Sequence, residues 1–177
     1  MIVGVPKETF LNERRVALIP AHLAVVAKLG LEVLVEAGAG EAAGFSDTSY
    51  TDAGARIGSR ADVFSSADIL LQVRPYGASS AAAADLPHHK TGQLVIGFTD
   101  PLGAFEEAQK LAATGVTALS MEMIPRITRA QSMDALSSMA TVAGYKAVLL
   151  AADTLPRMFP MFMTAAGTIS PARVLII

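Results

Sequence analysis

The ten residues Pro125-Arg126-Ile127-Thr128-Arg129-Ala130-Gln131-Ser132-Met133-Asp134 bring a guanidinium, a carboxamide and a carboxylate into one short loop. Arginine only donates hydrogen bonds, ionised aspartate only accepts them and glutamine does both, so the loop is rich in hydrogen-bonding groups of different character. Two readings are open on this chemistry. The loop can hold a ligand through those three side chains, or an Arg126–Asp134 ion pair can brace it while Ser132 caps a helix at Met133.

A second charged cluster, Asn12-Glu13-Arg14-Arg15, follows the first apolar run, at the edge where open α/β sheets place their ligands. An arginine there can hold a carboxylate or phosphate through two parallel hydrogen bonds, although charged loops are commonly just solvated. Gly38-Ala39-Gly40-Glu41-Ala42-Ala43-Gly44 imitates a dinucleotide fingerprint, but its last interval is one residue too long. The FSDTSYTDAGA that follows is a poor match to the amphipathic helix that should cap a pyrophosphate, so the cluster reads as an ordinary turn. His22, His88 and His89 have neither the spacing nor the neighbouring carboxylates of a metal cluster, so no metal site is expected, and His88-His89 reads as solvent-facing loop. With no cysteine, disulfides, thiolate metal sites and cysteine nucleophiles are excluded.

The elements that must position these residues alternate in type. Ile2 to Val5, Leu31 to Val35, Ile69 to Val73, Leu94 to Phe98 and Val116 to Leu119 read as strands. Helical stretches separate them, such as PAHLAVVAKLG, opened by Pro20 and stopped at Gly30, and FEEAQKLAATG. This alternation is the signature of a mostly parallel sheet. A longer helix is expected from about Met133 to Asp153, where Met133, Leu136, Met139, Ala140, Ala143, Ala147, Leu150 and Ala151 recur three or four apart and predict one buried face. Beyond Pro156 and Pro160 come an irregular Met-rich stretch and PARVLII, which reads as a strand with an unpaired edge.

With 177 residues and 52% hydrophobic content, the chain can bury a core as one domain, or one domain plus part of another. A net charge of −2 and the lack of any Lys/Arg run argue against nucleic acid as a partner. MIVGVPKE reads as a first strand rather than a signal peptide. Asp153, Pro156, Arg157 and Pro160 interrupt the apolar stretch after Tyr145, so no segment is expected to supply the roughly 20 apolar residues of a membrane span.

PRITRAQSMDALSSMATVAGYKAV, followed by FPMFMTAAGTISPARVLII, closely resembles the NAD(H)-binding component of proton-translocating NAD(P) transhydrogenase, and the opening GVPKE and ERRVALIP fit it too. The match runs over essentially the whole chain. The resemblance implies the alpha subunit of a three-part machine: this chain on the NAD(H) side, a membrane proton channel, and a third part that binds NADP(H) and exchanges hydride directly. It implies a homodimer, cytoplasmic and peripheral at the inner membrane through its partner subunits, with no membrane span of its own. Arg126, Asp134 and Ser137, with Ile127 and Thr128 beside them, would bind NAD(H) and position its nicotinamide, while Gln131 would reach toward the second nucleotide. Gln131 and Asp134 would be the catalytic members. Direct hydride transfer needs two rings held close, aligned and dry, and no nucleophile or general acid.

Alanine dehydrogenase is a neighbouring resemblance, sharing GVPKE and the arginine of RVAL, here Arg15, which there holds the substrate carboxylate. Where that enzyme carries a lysine this chain has Gln72, and where it carries a histidine this chain has Asp100. Without both groups, imine chemistry is not expected, and Arg15 becomes structural or a relic of the common fold. The expected architecture is α/β: a Rossmann-like parallel-sheet domain at 1–132, a connecting helix and linker at 133–163, and at 164–177 the start of a second, NAD-binding Rossmann domain. The glycine-rich loop that the family places after RVLII is not among these residues, so the chain is expected to be inactive alone. A non-catalytic assembly or regulatory paralogue is a third reading.

Overall fold

A computed structural model describes residues 1–176. It divides into two compact units, one from Met1 to Ala130 and one beginning at Gln131. The division falls inside the loop singled out above.

The first unit is built on six parallel strands, β1 (Ile2–Val5), β2 (Glu32–Glu36), β3 (Arg56–Gly58), β4 (Ile69–Leu71), β5 (Leu94–Gly97) and β6 (Thr117–Ser120). Their order is β3-β2-β1-β4-β5-β6, the doubly wound arrangement, with registers such as Val3↔Val33, Val3↔Ile69 and Val95↔Ala118. Helices α1 (Leu23–Lys28), α2 (Asp47–Asp52), α3 (Arg60–Ser66) and α4 (Phe105–Ala113) connect them. Val3, Val5, Val33 and Val35 pack with Leu23 and Tyr50, while Leu34, Leu70 and Val95 pack with Val63, Phe64 and Ala67. A sheet covered on both faces needs continuous apolar strands, which is why these segments are legible as aliphatic runs rather than alternating ones.

The helix expected from Pro20 is a 3-10 turn (Pro20–His22) running into α1, and it stops before Gly30, whose φ of 73° favours glycine. Sequence reading missed β3, three residues long, and α2 and α3, of six and seven residues. Ser59 and Asp62 form a reciprocal capping box that opens α3, and Ser46 caps α2. The alanine run belongs to a 3-10 helix, Ser80–His88. His89 is not a solvent-facing loop residue: it is half-buried, meets Phe64 edge-on at 5.4 Å, and its Nδ1 lies 3.0 Å from Gln93 Oε1.

The second unit holds α5 (Ala135–Thr154) and an antiparallel hairpin, β7 (Phe162–Thr164) and β8 (Gly167–Ile169), where an irregular stretch was expected. The helix starts two residues later than expected because Asp134, not Ser132, caps it. Its predicted buried face is exposed, since this unit contains no element that covers it. α5 is also long and apolar enough to cross a membrane by length and composition, correcting the expectation that no segment would be. That is weak evidence for a span, and Lys146 near the helix middle would carry a heavy penalty there. The strand expected at PARVLII has no ladder over residues 171–176, and Ile177 lies outside the described residues. A parallel strand exists only through a ladder of neighbours, and here the Ala172 amide donates to the Met158 carbonyl at 3.1 Å without a ladder forming.

Candidate functional site

In a doubly wound sheet, ligands bind at the carboxyl ends of the strands, beside the point where the order reverses, here between β1 and β4. The loops leaving β1, β4, β5 and β6 all emerge on this edge. Glu8 ties the first two together, accepting the Val73 amide at 2.6 Å and the Arg74 amide at 3.0 Å. Burial pushes its carboxyl above the ordinary value, against the downward pull of those two amides.

Arg15 is not free to take a ligand in this conformation. Its Nε and Nη2 donate to the two carboxylate oxygens of Glu13 at 2.8 and 2.6 Å, and Arg74 approaches the same carboxylate at 3.3 Å while lying over the Phe10 ring. The hydrogen bonds from Arg15 hold the Glu13 carboxyl below its usual range. This geometry supports the structural role expected for Arg15. Gln72 is buried, and Asp100 is exposed with a left-handed φ of 50°. The turn at Gly38 donates its amide to Asp47 Oδ1, so the amide a phosphate would need is already taken.

The segment carrying the candidate residues leaves β6 through a 3-10 turn, Met121–Met123, passes Pro125, and enters a further 3-10 helix, Thr128–Met133. In the first unit Arg126, Ile127 and Thr128 are exposed, anchored by the buried Ala130. In the second unit Gln131 is exposed, and Asp134 and Ser137 are brought together. The Asp134 carboxylate accepts the Ser137 amide at 2.9 Å and the Ser137 hydroxyl at 2.6 Å. With its hydroxyl hydrogen-bonded to Asp134, Ser137 Oγ keeps lone pairs that can accept an N–H.

Sequence reading missed Glu122. Its Oε1 accepts the Asp100 amide, next to a hydrogen bond between the Thr99 and Ser120 hydroxyls, and its Oε2 is buried without a hydrogen-bond partner among the described residues. The available signal was an acid in an otherwise apolar strand exit, four residues before Arg126.

Comparison with known proteins places this geometry in a lineage. Residues 4–143 match the family described as alanine dehydrogenase/PNT, N-terminal domain. The NAD(P) transhydrogenase subunit alpha of Cereibacter sphaeroides is 43% identical over 178 residues, covering 100% of this chain and 33% of that protein. Among solved structures, transhydrogenase from Sinorhizobium meliloti superimposes with a TM-score of 0.90 at 44% identity, over 97% of this chain and 50% of the other. An L-alanine dehydrogenase structure superimposes with a TM-score of 0.76 at 29% identity, over 86% and 40%. The chain thus spans about a third of the length of the curated relative, and it belongs to the alanine dehydrogenase/PNT N-terminal domain family.

Proposed function

We propose that this chain is part of the NAD(H)-binding component of a Re/Si-specific, proton-translocating NAD(P) transhydrogenase. The observation that carries the reading is the polar segment leaving β6: exposed donors at Arg126 and Gln131 and a Ser137 hydroxyl oriented by Asp134, in a chain 43% identical along its whole length to a transhydrogenase alpha subunit. These groups suit a nicotinamide carboxamide, which offers both a carbonyl and an N–H. Arg126, Ile127, Thr128, Asp134 and Ser137 would contribute to binding NAD(H). Gln131, with free donor and acceptor atoms, would reach the second nucleotide. Bound NAD(H) would supply the hydride, and NADP(H) on a partner subunit would receive or return it. The residues bind, orient and exclude water; none needs to exchange a proton.

Partner subunits would carry the membrane channel and the NADP(H) site, leaving this chain a cytoplasmic homodimer peripheral to the inner membrane. The alanine dehydrogenase reading is favoured by likeness to that enzyme in sequence and structure. Gln72 and Asp100 do not supply an amine and an imidazole, and Arg15 is engaged by Glu13.

The test is hydride transfer from NADH to an NADP analogue in the assembled complex. Arg126→Ala should lower kcat/KM by about a hundredfold, the scale of losing a charged contact made in the transition state. Unchanged transfer would remove the loop from the site.

A further inference from the structure

Four loops meet at the carboxyl edge of the sheet, and the one that bears Arg126 is fastened by a residue with no assigned role. Thr99 and Asp100 leave β5, and Ser120 and Glu122 leave β6. Two hydrogen bonds cross between them: one joins the Thr99 and Ser120 hydroxyls, and the other runs from the Asp100 amide to Glu122 Oε1.

The anchor on the β5 side is rigid. A Cβ on Gly77, whose φ is 112°, would lie 2.0 Å from the Thr99 carbonyl oxygen, so the loop after β4 presses directly on the Thr99 backbone. Asp100 occupies a left-handed conformation that is unfavourable for a residue with a side chain, and such outliers persist only where the surroundings over-determine them. Here the Asp100 carbonyl accepts the Gly103 and Ala104 amides at 3.1 and 2.8 Å, and its own amide is taken by Glu122.

Three features brace the path from Glu122 to Arg126. Met121–Met123 is a 3-10 turn closed by the Ile124 amide on the Met121 carbonyl; Pro125 has its φ locked by the ring; and the Ile127 amide returns to the Pro125 carbonyl at 2.9 Å. Only four residues, at most about 13 Å of chain, separate Glu122 from Arg126.

We propose that Glu122 is a positioning residue for Arg126, its Oε1 clamping the strained Asp100 amide and thereby fixing the direction in which the Arg126 segment leaves the sheet. The functional part of this inference rests on the transhydrogenase reading, whereas the mechanical part does not.

The experiment therefore has two readouts on Glu122→Ala and Glu122→Gln, the second of which keeps an acceptor for the Asp100 amide. Limited trypsin digestion reports the clamp alone. Cleavage after Arg126 and Arg129 should accelerate about tenfold in Glu122→Ala, the scale of losing one charge-assisted hydrogen bond, and return near the parent rate in Glu122→Gln. Cleavage after Arg56, inside the sheet, should keep its rate. Acceleration at all three sites would indicate general unfolding, and no acceleration at Arg126 would indicate no clamp; either result overturns the proposal.

Hydride transfer in the assembled complex reports the consequence. Glu122→Ala should lower kcat/KM about tenfold, Glu122→Gln should restore most of it, and the loss should shrink toward nothing in an Arg126→Ala background. Additive losses would show that Glu122 does not act through Arg126 and would sink the positioning role. A complex that transfers no hydride at all would refute the transhydrogenase reading while leaving the proteolysis result to decide the clamp.

Discussion

At the scale of single residues, the chain separates groups that serve the fold from groups left available to a ligand. His89 belongs to the first kind. Gln93 donates its side-chain N–H to the Phe64 and Ala67 carbonyls, so its oxygen must accept, and His89 Nδ1 must carry the proton. Burial pushes the imidazole below its ordinary value of 6.5. Below pH 6.5 the unfolded chain takes up a proton that the folded one resists, so this contribution to stability is present above 6.5 and is lost as pH falls toward the folded value. Thermal melting of the parent and His89→Gln between pH 7.5 and about 5 should show a steeper acid decline in the parent; parallel curves would exclude His89 as its source. Gly77→Ala should be far more damaging at any pH. It combines a positive φ with a backbone clash against Thr99 and should cost about 3 kcal/mol in urea unfolding. Arg126, Gln131 and Asp134, proposed as ligand groups, were visible in the sequence by side-chain type and spacing, and Ser137 only through the family resemblance. Glu122 was not, because its partner is the Asp100 backbone amide, 22 residues away, and a backbone partner leaves no trace in side-chain spacing.

At the scale of elements, strands were easier to read than helices. Burial on both faces turns β1, β2, β4 and β5 into aliphatic runs, whereas α2 and α3 are too short for helical periodicity to accumulate and are declared only by their caps. The 3-10 helix Ser80–His88 is the least self-sufficient element, with Pro87 inside it. Arg60 at the start of α3 holds it in place. It donates to both Asp85 oxygens at 2.8 and 2.6 Å, to Glu36 at 2.8 Å and to the Lys7 carbonyl at 2.9 Å, and it lies over the Phe64 ring. Arg60→Ala would strand the buried Asp85 carboxylate and should cost about 3 kcal/mol in urea unfolding, while Arg60→Ala with Asp85→Ala should recover part of that loss. α5 depends on its cap in a simpler way. Asp134→Ala should cost its first turn about 1 kcal/mol, seen as faster amide exchange at Ser137 and Ser138, and Asp134→Asn should keep most of the protection. Equal exchange in all three proteins would mean that the cap does not hold the turn, and with it the orientation proposed for Ser137.

At the scale of the molecule, the two units differ in how far they bury their apolar surface. The first encloses a two-sided core, whereas α5 and the β7–β8 hairpin expose theirs: Val142 is 56% exposed, Val148 57% and Met163 81%. The apolar periodicity of α5 predicted a buried face, and the structure leaves that face exposed: periodicity does not say which element covers it, and among the described residues of the second unit none does. A 20-residue helix is about 30 Å long. An isolated two-stranded hairpin is only marginally stable in water, so β7 and β8 also need a neighbour. A second copy of the chain, as in the proposed homodimer, would supply one through a self-complementary surface, and a stable interface of that kind buries about 800 Å² on each partner. The helix face and the hairpin both offer exposed apolar side chains for it. Sedimentation of the purified chain should accordingly show twice the 18.4 kDa monomer mass at micromolar concentration. Met139→Glu with Leu150→Glu, both exposed on that face, should return it to the monomer while leaving the melting of the first unit unchanged, since neither residue belongs to that unit. A parent chain that stays monomeric at high concentration would show that the α5 face is covered by something other than a second copy, and the homodimer would have to be abandoned.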